Sequence, residues 1–255
     1  MSELLTIDRR VKILDILNLK GQVSVNELSK LFNVSEVTIR NDLSHLQSKG
    51  LLIKTRGGGI KSERVGIDQQ LNEKSKLNSR EKQLIGKKAS EIIKNEDTII
   101  IDSGTTTVEI AKNLGDLKNL TVITNALNIA SQLIRDEIRI ILLGGMLRNT
   151  SLSLIGPVAE NSIKGFHCDK CFIGVDGIDS QSGIYTPNPE EANLNRMMIE
   201  ASKETIIVTD SSKFKRKSFA FIAPLSKINR VITDSKIPED ELKNLQDMGI
   251  KVILV

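Results

Sequence analysis

The segment TIIIDSGTTTVEIAKNL, residues 98–114, contains the residues whose types and spacing most clearly suggest chemistry. An apolar run is followed by the turn DSGTTT and then by an amphipathic helical pattern. Gly104 would let the backbone approach a ligand, the hydroxyls of residues 103 and 105–107 could donate hydrogen bonds, and the start of the helix would offer N–H groups to an anion. The pattern predicts a phosphate site, although the same hydroxyls could serve only to cap the helix.

The turn lacks both the G-x-x-x-x-G-K-[ST] and the G-x-G-x-x-G patterns, so neither ATP nor a dinucleotide is indicated and no cofactor is predicted. Similar apolar runs recur and alternate with amphipathic helices, which predicts a mainly parallel α/β sheet covered on both faces. In such sheets ligands bind outside the carboxyl ends of the strands. In this sequence the polar residues that could contact a ligand follow the ends of the predicted strands. The predicted strands are DTIIID, LTVITN, RIILLGG, KCFIGVDG, ETIIVTD, RVITD and KVILV.

A different pattern precedes residue 60. Residues 7–19 place Ile7, Val11, Leu14 and Leu17 on one helical stripe. Two further helices are predicted in SVNELSKLF and EVTIRNDLSHLQSK, the latter ending at Gly50. The hairpin LLIKTRGGGI follows, and its glycines suit a tight turn or a close approach to a backbone. This order is typical of a winged helix-turn-helix.

Helix starts are also predicted from capping residues. Ser24 with Glu27, and Asn78 with Glu81, have the spacing of a capping box. Ser35 is expected to cap the third helix.

The third helix has a face suited to DNA. At 100° per residue Ile39, Leu43 and Leu46 form a core stripe, and the opposite face and its flanks carry small, polar and cationic side chains. Asn can pair bidentately with adenine, a Val methyl can touch thymine, and the basic residues of the hairpin can meet phosphates. A solvated helix in a protein-binding domain is the alternative. The predicted DNA-binding residues are Ser35, Val37, Thr38, Arg40, Asn41, Ser44, Lys54 and Arg56.

The distribution of charge favours DNA over that alternative. Residues 1–65 hold eleven Lys and Arg against seven Asp and Glu, which accounts for the whole net charge of +4. A local basic excess suggests a polyanionic partner for this part of the chain. No apolar run approaches the roughly 18 residues of a membrane span. The N-terminus does not resemble a signal peptide, so no membrane partner and a cytoplasmic location are expected.

Nearly the whole chain resembles one family. RRVKILDILNLKGQVSVNELSKLFNVSEVTIRNDLSHLQSKGLLIKTRGGG is similar to the N-terminal head of the DeoR family of bacterial transcriptional regulators, and VSEVTIRNDL is specific for that head among winged helices. Similarity to the sensor domain of this family, whose fold resembles ribose-5-phosphate isomerase, is carried by IDSGTTT, VITNALNIA, LLGGMLR, SLIGPVAE, FIGVDGID, YTPNPEEANLNRMMIEAS and VTDSSKF.

The resemblance implies a repressor of sugar utilisation, with operator DNA and a phosphorylated sugar as its partners. The expected domains are a winged helix-turn-helix over residues 1–60, a linker over the polar segment 61–77, and an α/β sensor domain over 78–255. One recognition helix reads too few base pairs for useful specificity, so a homodimer or homotetramer assembled through the α/β part is expected. The implied effector contacts are Asp102, Ser103, Gly104, Thr105, Thr106, Asn125, Gly145, Asp176 and Lys213.

A sugar-phosphate isomerase with a DNA-binding appendage is the main alternative. GVDGID resembles the isomerase segment that carries two acids, here Asp176 and Asp179, and Glu190 or Glu191 could supply a base. The glycine-rich catalytic loop of the isomerase is absent around these glutamates, however, and PNPEEANLNR favours a loop that enters a helix with acids in its first turn. The regulator is therefore the preferred prediction, and no catalytic residue is assigned.

Two further motifs admit alternatives. Cys168 and Cys171 in CDKC could form a redox pair or half a zinc site, but there is no second pair, and KCFIGV favours a buried strand in which cysteine is a small apolar residue. KFKRK, residues 213–217, could contact DNA. Because it follows a strand end, we prefer Lys213 as a point charge for the ligand phosphate, with the other cations solvated.

Overall fold

The computed structural model describes residues 6–48, 51–61, 68, 70–115, 117–134 and 137–255. It divides the chain into two compact units, Met1–Leu77 and Asn78–Val255. The predicted helix terminator Gly50 and residues 62–67 and 69 of the predicted linker lie outside the described residues.

The first unit is a winged helix-turn-helix, as predicted. Three short antiparallel strands in the order β1-β3-β2 pack beside the helices. The last helix, α4, covers the second half of the predicted linker, and Leu77 packs against the core of this unit. The elements are α1 (Thr6–Lys20), β1 (Gln22–Ser24), α2 (Val25–Phe32), α3 (Glu36–Ser48), β2 (Leu52–Thr55), β3 (Gly58–Lys61) and α4 (Leu71–Lys76).

The core of the first unit confirms the predicted stripe of α3, since its three apolar residues are buried. The prediction for α1 was partly wrong. Ile7 is 54% exposed, and the buried apolar residues among those described in α1 are Ile13, Leu14 and Leu17. The reason is that Arg9 occupies the buried face at the start of α1, where it pairs with Asp42 of α3.

One of the three predicted caps forms. Ser35 accepts a hydrogen bond from the backbone N–H of Thr38 at 3.1 Å, which confirms its role. The capping box at Ser24 was wrong, because Ser24 ends β1 and its side chain makes no capping bond. The neighbouring Val25 N–H instead donates to the carbonyl of Gly57 in the wing at 2.9 Å.

The capping box at Asn78 was also wrong. Asn78 adopts a left-handed conformation, with φ of 50°, and its side chain makes no capping bond. Its amide nitrogen donates instead to Asp210 at 2.8 Å, and Glu81 pairs with Lys236. Long-range partners have therefore replaced the local cap.

In the wing, glycine is needed for the close approach of two strands more than for the turn of the hairpin. The turn of the hairpin falls at residues 56 and 57, and Gly58 lies in β3. A Cβ atom on Gly58 would lie 1.8 Å from the carbonyl oxygen of Val23, so only glycine lets β3 pair with β1 here.

The second unit is built on a seven-stranded sheet in the order β15-β14-β12-β9-β4-β5-β6, in which every pair is parallel. Each of the seven predicted runs forms one of its strands, which confirms the fold class. They are β4 (Thr98–Ile101), β5 (Leu120–Thr124), β6 (Ile138–Leu142), β9 (Cys168–Gly174), β12 (Ser202–Val208), β14 (Arg230–Thr233) and β15 (Lys251–Leu254).

Helices cover the sheet, and alternate residues of each strand enter different cores. Ile100 packs in one buried cluster, whereas Ile99 and Ile101 pack in the other. Burial of both faces explains why the strands are continuously apolar. The helices are α5 (Ser79–Ser90), α6 (Thr107–Lys112), α7 (Leu127–Gln132), α8 (Pro157–Ile163), α9 (Pro189–Glu200) and α10 (Glu239–Asp247).

Two small antiparallel sheets were not predicted. Four of the five strands contain glycine or polar residues within three or four positions, so periodicity does not reveal them, whereas the fifth, Ala220–Ala223, is continuously apolar and was missed. One is a two-stranded hairpin and the other has the order β10-β11-β13. Their strands are β7 (Met146–Arg148), β8 (Ser153–Ile155), β10 (Gly177–Asp179), β11 (Gly183–Thr186) and β13 (Ala220–Ala223).

Among the described residues, no helix combines the length and the apolar character needed to cross a bilayer.

The contact between α5 and α6 depends on Gly86. A Cβ atom there would lie 2.4 Å from Cβ and 2.6 Å from the carbonyl carbon of Glu109, so the backbone of α6 would have to shift. We expect Gly86→Ala to lower the free energy of unfolding by about 1–3 kcal/mol, the usual cost of overpacking, despite the better helix propensity of alanine. Urea denaturation measures the change. Gly165→Ala is the matched control, because its nearest neighbour would lie at 3.8 Å, and equal stability of the two variants would contradict the prediction.

Candidate DNA-binding and effector sites

The predicted DNA-binding face of α3 is exposed. Val37 is 62% exposed although it is apolar, and Asn41 and Ser44 are also exposed. Thr38 and Arg40 lie at the flanks of this face. The face is therefore accessible to a partner and contains no core residue.

The wing lies against α3 through Lys54. Its ammonium group donates to the hydroxyl of Ser44 at 2.8 Å, and its backbone N–H donates to the side chain of Gln47 at 2.8 Å. Arg56, at the tip of the hairpin, is exposed. Arg40 pairs with Glu36 one turn earlier at 2.6 Å, so its guanidinium is oriented along the helix. Sequence reasoning did not identify Gln47, whose contact depends on the docking of the wing.

The nine predicted effector residues gather at one end of the second unit. Each lies at or just after the carboxyl end of a parallel strand or in the turn that follows it, and these strands are neighbours in the order β12-β9-β4-β5-β6. We call this region the carboxyl edge. It is occupied by Lys213 after β12, Asp176 after β9, Asp102 to Thr106 after β4, Asn125 after β5 and Gly145 after β6.

The chain reverses its direction of travel across the sheet between β4 and β9. From β4 it proceeds to β5 and β6 on one side, and then returns to add β9, β12, β14 and β15 on the other. At this switch point Asp102 is buried, and its Oδ2 accepts the backbone N–H of Gly174 at 3.0 Å. Asn195 of α9 donates to the same oxygen at 3.5 Å. Such a crevice is the usual ligand site of an open α/β sheet.

The turn after β4 presents unused donors. In the described part of the chain, no acceptor receives the backbone N–H groups of residues 103–106 or the hydroxyls of Ser103, Thr105 and Thr106. The hydroxyl of Thr107 is used differently, since it donates to the carbonyls of Asp102 and Gly104 at 3.0 and 3.1 Å. One threonine therefore fixes the shape of the turn while its neighbours stay available to an acceptor.

Lys213 and Asp176 lie next to each other. Lys213 ends the short 3₁₀ helix Ser211–Lys213, and its ammonium is 3.5 Å from the carboxylate of Asp176. Both side chains are mostly buried. Because β12 is two strands away from β4, the end of β12 is about 10 Å from the turn after β4.

Asn125 and Gly145 hold the hairpin β7–β8 against the carboxyl edge. Asn125 is buried, and its amide donates to the carbonyl of Leu154 at 3.2 Å. Its Oδ1 is buried and has no hydrogen-bond donor among the described residues. Gly145 has a φ of 134°, and a Cβ atom there would lie 2.5 Å from the carbonyl oxygen of Ile155, so this position requires glycine.

Sequence reasoning missed a buried polar cluster beside Asn125. Oε1 of Glu191, in the first turn of α9, accepts from Ser151 at 2.6 Å, from Ser153 at 2.9 Å and from Arg148 at 3.1 Å. The sequence placed Glu191 correctly in a helix N-terminus, where a solvated acid is ordinary. Only the packing of the hairpin against α9 brings its partners to it.

Two of the four acids considered for the isomerase alternative are engaged in structural contacts. Asp179 accepts the N–H of Gln181 and the hydroxyl of Ser182 within the β10–β11 turn, at 3.1 and 2.6 Å. Glu191 is held by the cluster just described.

Cys168 and Cys171 are free thiols and are fully buried in β9. Burial raises the pKa of each thiol to about 11. Both are therefore protonated, and poor nucleophiles or metal ligands, at neutral pH. Within the described residues, no group of three or more His, Cys, Asp or Glu side chains is arranged to hold a metal.

Comparisons with known proteins identify both units. Residues 9–64 match the profile of the DeoR-like helix-turn-helix domain, and residues 77–235 match that of the DeoR C-terminal sensor domain. The chain belongs to the DeoR family of transcriptional regulators. It is therefore a DNA-binding transcriptional regulator, as the sequence predicted.

Relatives match this DeoR-family chain over nearly their full length. A protein of Escherichia coli O157:H7, whose name assigns it to repression of aga operon transcription, is 41% identical over 98% of this chain and 94% of its own. The glycerol-3-phosphate regulon repressor of Escherichia coli K12 is 32% identical over 95% and 96%. An HTH-type regulator of Bacillus subtilis, YulB, is 38% identical over 99% and 98%. Because these relatives are regulators, the prediction of a regulator is confirmed against the isomerase alternative.

Solved structures are matched only loosely. Ribose 5-phosphate isomerase A from Methanocaldococcus jannaschii covers 54% of this chain and 55% of its own, with 16% sequence identity and a TM-score of 0.41. At this level the similarity carries no argument about chemistry.

The burial of the two thiols makes a prediction about redox control. We expect the native protein to react with iodoacetamide at pH 8 far more slowly than the unfolded protein, since the thiolate fraction is small below a pKa of about 11 and the sulfur atoms are covered. Mass spectrometry of the two samples measures the rates. DNA affinity should also be the same after mild thiol oxidation. A loss of affinity that disappears in the Cys168→Ser or Cys171→Ser variant would establish the redox alternative.

Proposed function

We propose that this DeoR-family regulator represses an operon of carbohydrate use and leaves its operator when a phosphorylated sugar binds at the carboxyl edge. The observation that carries the proposal is the turn after β4, where consecutive backbone N–H groups and three hydroxyls have no acceptor among the described residues. Several backbone N–H groups that converge on one point form an anion-binding concavity. The turn lies at the switch point of the sheet, which is where a ligand would be expected.

The other residues of the carboxyl edge divide into contacts and supports. We assign the phosphate to Ser103, Gly104, Thr105 and Thr106, because their donors are available. Lys213 would supply a positive charge from the adjacent strand ends. The neighbouring Asp176 carries a negative charge and would contact the sugar instead of the phosphate, since a carboxylate can accept hydrogen bonds from sugar hydroxyls.

Asn125 would contact the sugar through its buried Oδ1. An unsatisfied buried acceptor costs about 1–3 kcal/mol, and a ligand hydroxyl would satisfy it. Asp102 and Gly145 position the backbone around the ligand in this proposal. Asp102 braces the turn against β9, and Gly145 lets the hairpin approach. The name of one relative, a glycerol-3-phosphate regulon repressor, is consistent with a phosphate ester as ligand.

The assembly is also a proposal. One head contacts few base pairs, and a specific site of useful length requires two heads on repeated half-sites. We therefore propose a homodimer or homotetramer that forms through the α/β unit. Because the protein acts on chromosomal DNA, we place it in the cytoplasm. Multi-angle light scattering tests the assembly, and a monomer at micromolar concentration that still binds a single half-site tightly would contradict it.

The exposed face of α3 makes a prediction about sequence discrimination. Asn41→Ala should reduce the preference for a duplex selected in vitro over a random duplex by about 1–3 kcal/mol, the value of a bidentate base contact. Lys54→Ala should weaken binding to both duplexes alike, because a phosphate contact carries no sequence information. Fluorescence anisotropy with both duplexes measures the affinities. Unchanged discrimination in Asn41→Ala would mean that another face of the head reads the bases.

The phosphate turn makes a prediction about induction. Thr105→Glu places a carboxylate where the phosphate would lie, so effector binding should be lost through repulsion and steric overlap. Thr105 is not fully buried and belongs to the second unit, so folding and DNA affinity without effector should stay close to those of the unmodified protein. Thr105→Gln is the matched control, because it has the same size without the charge.

Thermal shift with a panel of phosphorylated sugars first identifies the effector, since a ligand of the native state raises the melting temperature. Calorimetry then compares the variants, with and without operator DNA. Coupling is reciprocal, so DNA should weaken effector binding by the factor by which effector weakens DNA binding. Equal effector affinity in the presence and absence of DNA, or undiminished binding by Thr105→Glu, would contradict the proposal.

A further inference from the structure

An ion cluster joins the first turn of α1 to the middle of α3. Nε of Arg9 lies 2.6 Å from Oδ2 of Asp42, and Nε of Arg10 lies 2.8 Å from Oδ1 of the same carboxylate. The side chains of Asp42 and Arg9 are 2% and 8% exposed, whereas that of Arg10 is 25% exposed. Arg10 is thus the member of the cluster that reaches the surface.

The cluster has more positive than negative charge. Two guanidinium groups share one carboxylate, and among residues 6–48 and 51–61 no second acid pairs with Arg9 or Arg10. Each arginine uses Nε for Asp42, so the terminal amino groups of Arg10 have no acceptor in the described part of the chain. A guanidinium that is held through Nε and reaches the surface can donate through its terminal amino groups to an anion such as a phosphate.

The position of Asp42 on α3 shows where that anion would lie. At about 100° per residue, Asp42 is about 100° from Asn41 around the helix, and Ser44 is about 60° from Asn41 on the other side. Ser44 accepts a hydrogen bond from the ammonium group of Lys54, so the wing lies on the Ser44 side of α3. The exposed face of α3 therefore has the wing lysine on one flank and the arginine cluster on the other.

We infer that Arg10, held by Asp42, contacts a DNA backbone phosphate on the flank of α3 opposite the wing. A helix in the major groove has a phosphate backbone on each side, and the wing serves only one of them. The planar guanidinium can donate to the phosphate through its terminal amino groups while Nε stays bound to Asp42, which the ammonium of a lysine cannot do with the same geometry. This inference rests on the proposed DNA-binding face and adds to it a contact outside the helix-turn-helix.

The salt dependence of DNA binding distinguishes this role from a purely structural one. Each phosphate contact contributes about 0.9 to the slope of log affinity against log salt concentration. For the full chain and a random-sequence duplex, Arg10→Gln should reduce the slope by about that amount and weaken the selected and random duplexes by the same factor. Arg10→Lys should keep most of the slope, because the charge remains, while its affinity falls. Lys12→Gln is the matched control, since this exposed cation lies on the opposite side of α1.

Arg10→Gln should remain folded because Arg9 still pairs with Asp42, and circular dichroism checks this. An unchanged salt slope in folded Arg10→Gln, whatever its affinity, would overturn the inference. If that variant did not fold, a slope in Arg10→Lys equal to that of a second charge-removing variant, Arg10→Met, would overturn it as well. The proposed function is tested separately, because the loss of discrimination in Asn41→Ala does not depend on Arg10.

Discussion

The hydrogen bond from the backbone N–H of Gly174 to the carboxylate of Asp102 joins the two halves of the parallel sheet at their ends. The backbones of β4 and β9 pair up to Ile101 and Phe172, and the carboxylate of Asp102 continues the connection beyond the end of this ladder. A buried carboxylate must be compensated by donors, and this requirement fixes the turn after β4 against β9. The backbone N–H groups of residues 103–106, in the turn that Asp102 fixes, have no acceptor among the described residues.

A second buried carboxylate, in α9, fixes the position of another element of the carboxyl edge. Glu191 collects two hydroxyls and a guanidinium from the hairpin β7–β8, and so attaches that hairpin to α9. Removing a partner from such a group costs more than the bond itself is worth, so these contacts specify one arrangement of the carboxyl edge. The hairpin in turn contacts Asn125. Two elements beside the candidate effector site, the turn after β4 and the hairpin β7–β8, are thus held by buried acids.

The head also contains a buried carboxylate that connects two of its elements. Its apolar core is short, and Asp42 adds a polar connection between α1 and α3 beside it. Together with the buried apolar stripe of α3, this connection favours the rotation of the helix in which Asn41 and Ser44 are exposed. In both units a buried aspartate connects elements that carry predicted site residues.

The sequence by itself determined the elements and their faces: seven strands, the recognition helix with its stripe of Ile39, Leu43 and Leu46, and the polar turn after β4. These follow from periodicity and local chemistry, which act over a few residues. Tertiary structure decided what depends on partners distant in the chain. It removed the local cap at Asn78 in favour of Asp210, buried Arg9 where Ile7 was expected, and built the short hairpins that apolar periodicity cannot reveal. The partners of a buried polar group are the groups next to it in the folded chain, and the spacing of residues along the sequence does not show which groups those are.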